Sequence, residues 1–447
     1  MTGNSPPLWR LFLAAADQLR QRLESKAPKG ALDPRVQAPA IEDLCLGGLR
    51  AWGLTQVRLA RLCDKKPPAK DLQALLAVVF SCIRRQYRPA PILVDQAVRA
   101  AQSCAGQPGG KFVNAVLRAS LQNPTAAQGD EQTLTALCNA PKEWIDAVAE
   151  DWGETQAREI LIAMGQPRGH WLRLVGDADT QQRSLHAIRD WAQAQGIAMH
   201  AQQKQLPSVW LQSLRGLFDT TLFREGLFRV QDWSAQRLAR LWADSLAPRR
   251  QCWEGDRIDV LDVCAAPGGK SFLVAEDPRT RIWAMDKSER RLQKMKSEAE
   301  RLSRTLDLSR LTVTVTNILE DVWPMGFPNQ FDCIVLDAPC SASGVISRHP
   351  EIPWTNRLAE RESLCAVQSA MLNAVWQRLK PGGKLLYVTC SVFHAEGEQQ
   401  IDAFLRLNPE AKRQAAPGYI LPVADSVELG PGRDGFFYAS LCKGVQP

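Results

Sequence analysis

Residues 258–270 read IDVLDVCAAPGGK. Ile258, Val260, Leu261 and Val263 form a short apolar run that gives way at Cys264 to a loop of small residues ending in Lys270. A run of that length closed by a glycine turn is a buried strand rather than a helix, which needs more residues. Outward from it the pattern repeats, with apolar runs at 281–286, 311–316, 331–337 and 384–389 and a closing run at 435–442. Helical segments fit between them at 288–303 and 358–379, the second with apolar residues at 364, 367, 371, 372, 375 and 379. Strands alternating with helices predict an α/β domain built on a largely parallel sheet.

The N-terminal part reads differently. From Leu8 to Ser120 apolar residues recur at helical spacing, as in Leu72, Leu75, Leu76, Val79, Phe80 and Ile83, broken at Pro67-Pro68 and Pro89–Pro91. The polar stretch 122–132 reads as a linker, 141–166 as two amphipathic helices, and 170–228 as a small α/β module. At about 150 residues per domain, 447 residues then divide into a helical domain (1–125), the small module (138–230) and the α/β domain (231–447).

Composition is that of a globular protein, with 45% hydrophobic and 23% charged residues. The net charge of +7 is unevenly placed. Residues 1–120 hold 18 Lys and Arg against 8 Asp and Glu, a net of +10, so the remainder carries −3. A basic helical surface is either merely solvated or a dock for nucleic acid, whose phosphates supply sequence-independent affinity. The twelve cysteines and five histidines form no CxxC pair and no cluster at zinc spacing, so no metal is expected. Met1–Pro7 lacks the basic start of a signal peptide, and the longest apolar run, Leu75–Phe80, is far short of the ~20 residues of a membrane span. The reading is a reducing cytoplasm, with most thiols buried as small hydrophobes.

In an open parallel sheet ligands bind beyond the carboxyl ends of the strands. The loop Cys264, Ala265, Ala266, Pro267, Gly268, Gly269, Lys270 lies at one such end, and its small residues let backbone approach a ligand closely. It matches neither GxGxxG nor the P-loop spacing, which weighs against dinucleotide and triphosphate binding. Asp286 ends the next strand, where it either takes both hydroxyls of a ribose or caps the helix 288–303. Asn317, a strand later, contacts an adenine or turns the chain. Two cysteines complete the set, in Asp337-Ala338-Pro339-Cys340-Ser341 and Val388-Thr389-Cys390-Ser391. A free cysteine is usually inert, but two at the mouth of one sheet, one beside an aspartate, suit covalent attack on an electrophilic ring.

The strings LDVCAAPGGK, LDAPCSASGVISRHPEIPW and YVTCSVFHAEGE resemble motifs I, IV and VI of the Fmu/Sun (NOL1/NOP2/Sun) RNA cytosine-5 methyltransferases, most closely the RsmB type that modifies bacterial 16S rRNA. VQDWSAQ at 230–236 and DGFFYASL at 434–441 fit the same pattern, and KFVNAVLR at 111–118 resembles the NusB-like helical domain of RsmB-type enzymes. The resemblance implies a Rossmann-like class I methyltransferase domain, a small α/β module and an all-helical NusB-like, RNA-binding N-terminal domain. It further implies a methyl donor, S-adenosyl-L-methionine, lying across Cys264–Lys270 with Asp286 on its ribose. Cys390 would add to carbon 6 of cytosine, Cys340 would assist release of the product, and Asp337 would hydrogen-bond the base near ring nitrogen 3 while also lining the cofactor site. Sequence alone does not say which cysteine attacks; that assignment comes from the family. Lys270 would tether Asp337 or lower a thiol pKa, and Arg291 would pack or pair below the cofactor in a structural role.

Two departures stand out. Relatives carry Asp where this chain has Asn317, which puts that cofactor contact in question, and they follow motif VI with Glu-Asn where this chain has Glu396-Gly397. Ser347–Pro350 would meet the target's phosphate or flank, with His349 equally well a loop residue bonded locally; His394 occupies a position where relatives have proline and is set aside as a base. The expected protein is a monomeric cytoplasmic 16S rRNA cytosine-5 methyltransferase acting without metal or membrane. A tRNA methyltransferase sharing these motifs, a non-catalytic RNA-binding assembly factor and a dinucleotide oxidoreductase are the rival readings.

Overall fold

In the computed structural model, which describes residues 6–24, 38–63, 67–202, 207–246, 257–320, 323–355, 357–425 and 431–444, helix Lys70–Arg84 buries every residue from Leu72 to Cys82. A helix apolar on all sides belongs at the centre of a bundle. Helices Leu8–Leu23, Ala38–Arg50, Trp52–Leu62 and Ala90–Gln122 contribute to the same core through Phe12, Leu44, Leu59, Leu93 and Leu117. This helical unit comprises Met1–Gln166 together with Ile346–Ala359; the second compact unit comprises Pro167–Val345 and Glu360–Pro447. Residues 1–5, part of the stretch read for a leader, lie outside the described residues. Among the described residues no helix is long and apolar enough to cross a membrane.

The expected linker at 122–132 is instead helix Pro124–Gln132. Its polar composition hid it, but its start is well specified: Asn123 accepts the Ala126 N–H at 3.1 Å and Pro124 sits in the first turn. Arg61 clamps Asp130 at 2.7 Å and Arg58 meets Glu131 at 3.0 Å, fixing the helix to Trp52–Leu62. The two helices expected over 141–166 appear as Lys142–Gly165, broken at Gly153, whose φ is +72°.

The stretch Ile346–Ala359 follows Cys340 in the chain but packs among the helices. Its anchor is Asn139, buried and in the left-handed region at φ 50°. The Asn139 side chain accepts from Gly53 N–H at 2.8 Å and donates to Leu49 O at 3.0 Å and Pro350 O at 3.4 Å, while Trp354 Nε1 donates to Asn139 O at 2.7 Å. His349 lies 3.5 Å from Glu351, the local partner that its loop reading required.

The second unit begins with an antiparallel sheet of β1 (His170–Leu174), β2 (Met199–Gln202), β3 (Ser208–Leu211) and β4 (Phe228–Val230) in the order β2-β3-β1-β4. With helix Ala178–Gln195 after β1 and Thr221–Arg224 before β4, this is a split βαβ arrangement. Alternation along β1 sends Leu172 and Leu174 to the helix-covered core and Trp171 and Arg173 to the other face. That face is not free: Trp171 Nε1 donates to Gly432 O at 2.7 Å, Arg173 pairs with Glu276, and the Arg229 guanidinium stacks 4.6 Å over Phe272. The segment 138–230 read as one module is divided between the two compact units, 138–166 lying with the helices and 167–230 with the α/β domain, against which this sheet's second face packs.

The larger sheet contains β5 (Ile258–Val263), β6 (Thr280–Asp286), β7 (Leu311–Val315), β8 (Phe331–Asp337), β9 (Leu379–Thr389), β10 (Ala411–Ile420) and β11 (Phe436–Lys443) in the order β10-β11-β9-β8-β5-β6-β7. Strands β5 to β9 pair in parallel, and β10 and β11 are antiparallel additions. This is the Rossmann-like architecture expected, with β10 added. Its exposed, polar residues and Pro417-Gly418 obscure it in the sequence, yet an edge strand tolerates proline. Strand order reverses between β5 and β8, which places a crevice at their carboxyl ends.

Replacing Asn139 by Ala is expected to leave the buried Gly53 N–H without its acceptor and to keep a β-carbon in the left-handed region without the side-chain hydrogen bonds that support Asn there, costing about 1–3 kcal/mol. Asn139→Gly keeps the backbone but loses the same bonds, so thermal unfolding of both variants separates the two effects.

Candidate active site

Past Val263 the chain turns through Cys264 at φ +59° and Gly268 at φ +91° into helix Gly269–Val274. A β-carbon on Gly268 would stand 2.3 Å from the Phe272 ring, so only glycine allows the turn to close this tightly. The Ala265 N–H bonds to Met285 O at 2.9 Å, tying the loop to the end of β6. There the buried Asp286 accepts from Ala266 N–H at 3.2 Å and Ser288 N–H at 2.9 Å and pairs with Arg291 at 3.2 Å. Asp286 is not the cap of the following helix; Ser288 fills that position, its hydroxyl accepting from Arg291 N–H.

A cavity of about 410 Å³ opens at the reversal point. Cys264, Asp286, Asn317, Asp337, Cys340 and Cys390 all line it. Ala265, Ala266, Pro267, Gly268, Gly269 and Lys270 do not; they form the layer behind it. Lys270, almost entirely buried, reaches across to Asp337 with Nζ 2.5 Å from Oδ2, the tether expected of it. Asn317 both lines the cavity and turns the chain, its Oδ1 accepting from Leu319 N–H at 3.2 Å. Sequence reasoning missed Met285, Ile318, Val367 and Met371, which give the cavity apolar walls, and left out Arg291, which lines it beside Asp286. Val367 and Met371 come from helix Arg361–Gln377 and, as apolar residues at helical spacing, are indistinguishable in sequence from core positions. His394 is part of a short turn with its ring 5.3 Å from Tyr419.

Two of the thiols that line the cavity, those of Cys340 and Cys264, are held protonated. Cys340 Sγ and Cys390 Sγ are 3.4 Å apart. The hydrogen bond shared with Cys390, together with burial, raises the Cys340 pKa and keeps that thiol protonated. Burial, reinforced by Asp337, Asp286 and Asp262, pushes Cys264 up to about 12, so it remains a neutral apolar group. Behind the loop, Asp262 is fully buried and bonded to the Ser271 hydroxyl, and burial pushes its carboxyl up to about 7.

The family model described as 16S rRNA methyltransferase RsmB/F matches residues 246–442, and that of the NusB family matches residues 13–122. Ribosomal RNA small subunit methyltransferase B of Xanthomonas campestris pv. campestris is 32% identical over 97% of this chain and 95% of its own length. The protein of the same name from Pasteurella multocida is 32% identical over 91% of this chain and 88% of its own. The chain belongs to the RsmB/F methyltransferase family. A crystal structure described as that of PH0851 shares the fold, with a TM-score of 0.70 and 20% identity over 98% of this chain and 99% of that one.

Members of this family are S-adenosylmethionine-dependent methyltransferases, and the cavity fits that cofactor. A buried carboxylate at the end of β6 suits vicinal ribose hydroxyls, Asn317 offers an amide, and Met285, Ile318, Val367 and Met371 suit the flat apolar faces of an adenine.

Because the Asp262 carboxyl titrates higher folded than the ~3.9 of an unfolded Asp, the folded state binds the extra proton. Its contribution to stability is fully present below about pH 4 and is lost as pH rises through about 7. Asp262→Asn is expected to flatten the fall in melting temperature between about pH 4 and about pH 8; a fall equal to that of the wild type would contradict this origin.

Proposed function

We propose that the chain transfers a methyl group to carbon 5 of a cytosine in small-subunit ribosomal RNA, with Cys390 as the nucleophile. The observation that carries this reading is the pair of thiols 3.4 Å apart, one of them held protonated, beside an aspartate anchored by a buried lysine. S-adenosylmethionine, when bound, supplies the electrophilic methyl group. Carbon 5 of cytosine is too weakly nucleophilic to take that methyl directly. Addition of the Cys390 thiolate to carbon 6 makes carbon 5 an enamine-like centre; after methylation, loss of the carbon 5 proton expels the thiolate and releases 5-methylcytosine. Cys340 serves the release step. Asp337, oriented by Lys270, bonds the cytosine edge near ring nitrogen 3 and stabilises the adduct as charge develops there. Asp286 takes the cofactor's ribose, Asn317 lies toward its adenine, and Cys264 forms part of the wall against which it rests, backed by Ala265–Lys270.

The substrate base must leave its stack or already lie in a loop to be reached by a thiol. The helical unit supplies affinity for the surrounding RNA through exposed cations that include Arg88, Lys111 and Arg118. The chain works as a monomer in the cytoplasm.

Incubation with labelled cofactor and small-subunit rRNA, followed by digestion to nucleosides, is expected to yield 5-methylcytidine; unmethylated RNA from a folded enzyme would refute the reading. Cys390→Ala should abolish turnover, whereas Cys340→Ala should accumulate a covalent protein–RNA adduct visible on denaturing gels. An adduct that needed Cys340 would reverse the two roles.

Replacing Arg88, Lys111 and Arg118 together by Ala should weaken RNA binding and lower the slope of log K against log salt by about 2–3, at roughly 0.7–0.9 for each phosphate no longer neutralised. Cofactor affinity should be unchanged, as read by calorimetry with S-adenosylhomocysteine.

A further inference from the structure

Glu396 is fully buried, and four donors converge on its carboxylate. Oε1 accepts from the Ser341 N–H at 2.7 Å and from Gln368 Nε2 at 3.3 Å. Oε2 accepts from the hydroxyls of Ser341 and Ser391, each at 2.6 Å. Ser341 directly follows Cys340, and Ser391 directly follows Cys390. One carboxylate therefore joins the two turns that carry the thiols. Its own backbone is held as well, since the Tyr387 hydroxyl donates to Glu396 O at 3.0 Å. Ser343 extends the network: its Oγ lies 2.9 Å from that of Ser391 and accepts the Val392 N–H at 2.9 Å. Hydrogen bonds to an ionised acceptor are shorter and about twice as strong as neutral ones, and here they are spent on the spacing of two loops that come from different strands.

We propose that Glu396 is a positioning residue that sets the separation of Cys340 and Cys390 for methyl transfer. It does not line the cavity and so acts through Ser341 and Ser391. The proposal rests on the reading of the two thiols as the reacting pair. A glutamine in its place keeps the shape but turns an amide N–H₂ toward groups that are themselves donors, so at least one turn is released.

The test uses the full chain with E396Q, S341A/S391A and the triple variant. Steady-state methylation gives kcat and the KM for S-adenosylmethionine. A second readout needs no catalysis: diamide takes up the two thiol hydrogens and leaves a Cys340–Cys390 disulfide, whose rate of formation is followed by peptide mass mapping. E396Q is expected to lower kcat roughly 10–100-fold, the scale of a misplaced reacting group, with the KM changed by less than about 2-fold and cross-linking slowed several-fold. The triple variant should be no slower than E396Q alone, since the residues act as one unit. Wild-type kcat and wild-type cross-linking in folded E396Q would overturn the proposal, as would losses that multiply in the triple variant. Should E396Q fail to fold, S391A must show the same split between kcat and KM and the same slower cross-linking; wild-type values there would overturn it. A wild-type chain that cross-links but makes no 5-methylcytidine would refute the proposed function, while the cross-linking rates would still decide the role of Glu396.

Discussion

The Lys270–Asp337 ion pair spans the point where strand order reverses, joining the loop after β5 to the end of β8. Lys270 is nearly all buried while a third of the Asp337 side chain is exposed to the cavity. A buried ammonium needs a fixed counter-charge, because breaking such a pair strands a charge away from water. The same few residues gather Asp262 and Asp286 as well, so three carboxylates share the neighbourhood of Lys270 and Arg291. Their charges are managed unequally. Asp337 is paired with a lysine, Asp286 with an arginine and two backbone donors, and Asp262 sits deep enough to hold its proton more tightly than a free carboxyl. Of the three, Asp286 and Asp337 line the cavity and Asp262 does not.

Around this centre the second unit is rigidified from two sides. The split βαβ module gives its helix-free face to the α/β domain, where Arg229 stacks on Phe272 and donates to Gly268 O at 3.0 Å. The turn behind the cavity is thereby braced by a module none of whose described residues lines it. On the opposite side of the reversal point, the serines after each cysteine are drawn onto one carboxylate. Pre-organisation of this kind matters for covalent catalysis, in which the base must meet a nucleophile and a proton-handling group in one orientation.

Much of this was legible in the residues. Strands β5, β6, β8 and β9 announce themselves because a parallel strand buried on both faces must be apolar almost throughout, whereas β7, at the sheet edge and partly exposed, shows as Leu and Val alternating with Thr. The site residues fall at the strand ends because a parallel sheet presents all its carboxyl ends on one side. Helix Pro124–Gln132 and strand β10 were not legible: both are polar and lie at the periphery, and what holds them is specific, namely the Asn123 cap, the Arg61–Asp130 pair and the ladder with β11. Hydrophobic periodicity carries no signal where burial is slight.

The sequence by itself determined the class of sheet, the loop at its first strand end, and the identity of the chemical groups, since each follows from local pattern and from motifs contiguous in the chain. Tertiary structure alone decided which of those groups meet. It brought Cys340 and Cys390, 50 residues apart, to 3.4 Å; it put Lys270 on Asp337 and Arg291 on Asp286; it lined one cavity with both of those cysteines and with Cys264, whose thiol burial keeps neutral. It also seated Glu396 under both cysteine turns and folded Ile346–Ala359 among the helices rather than with the strand that precedes it. The physical reason is the same in each case: hydrogen bonds, ion pairs and shifted protonation states depend on distance and burial, and sequence separation fixes neither.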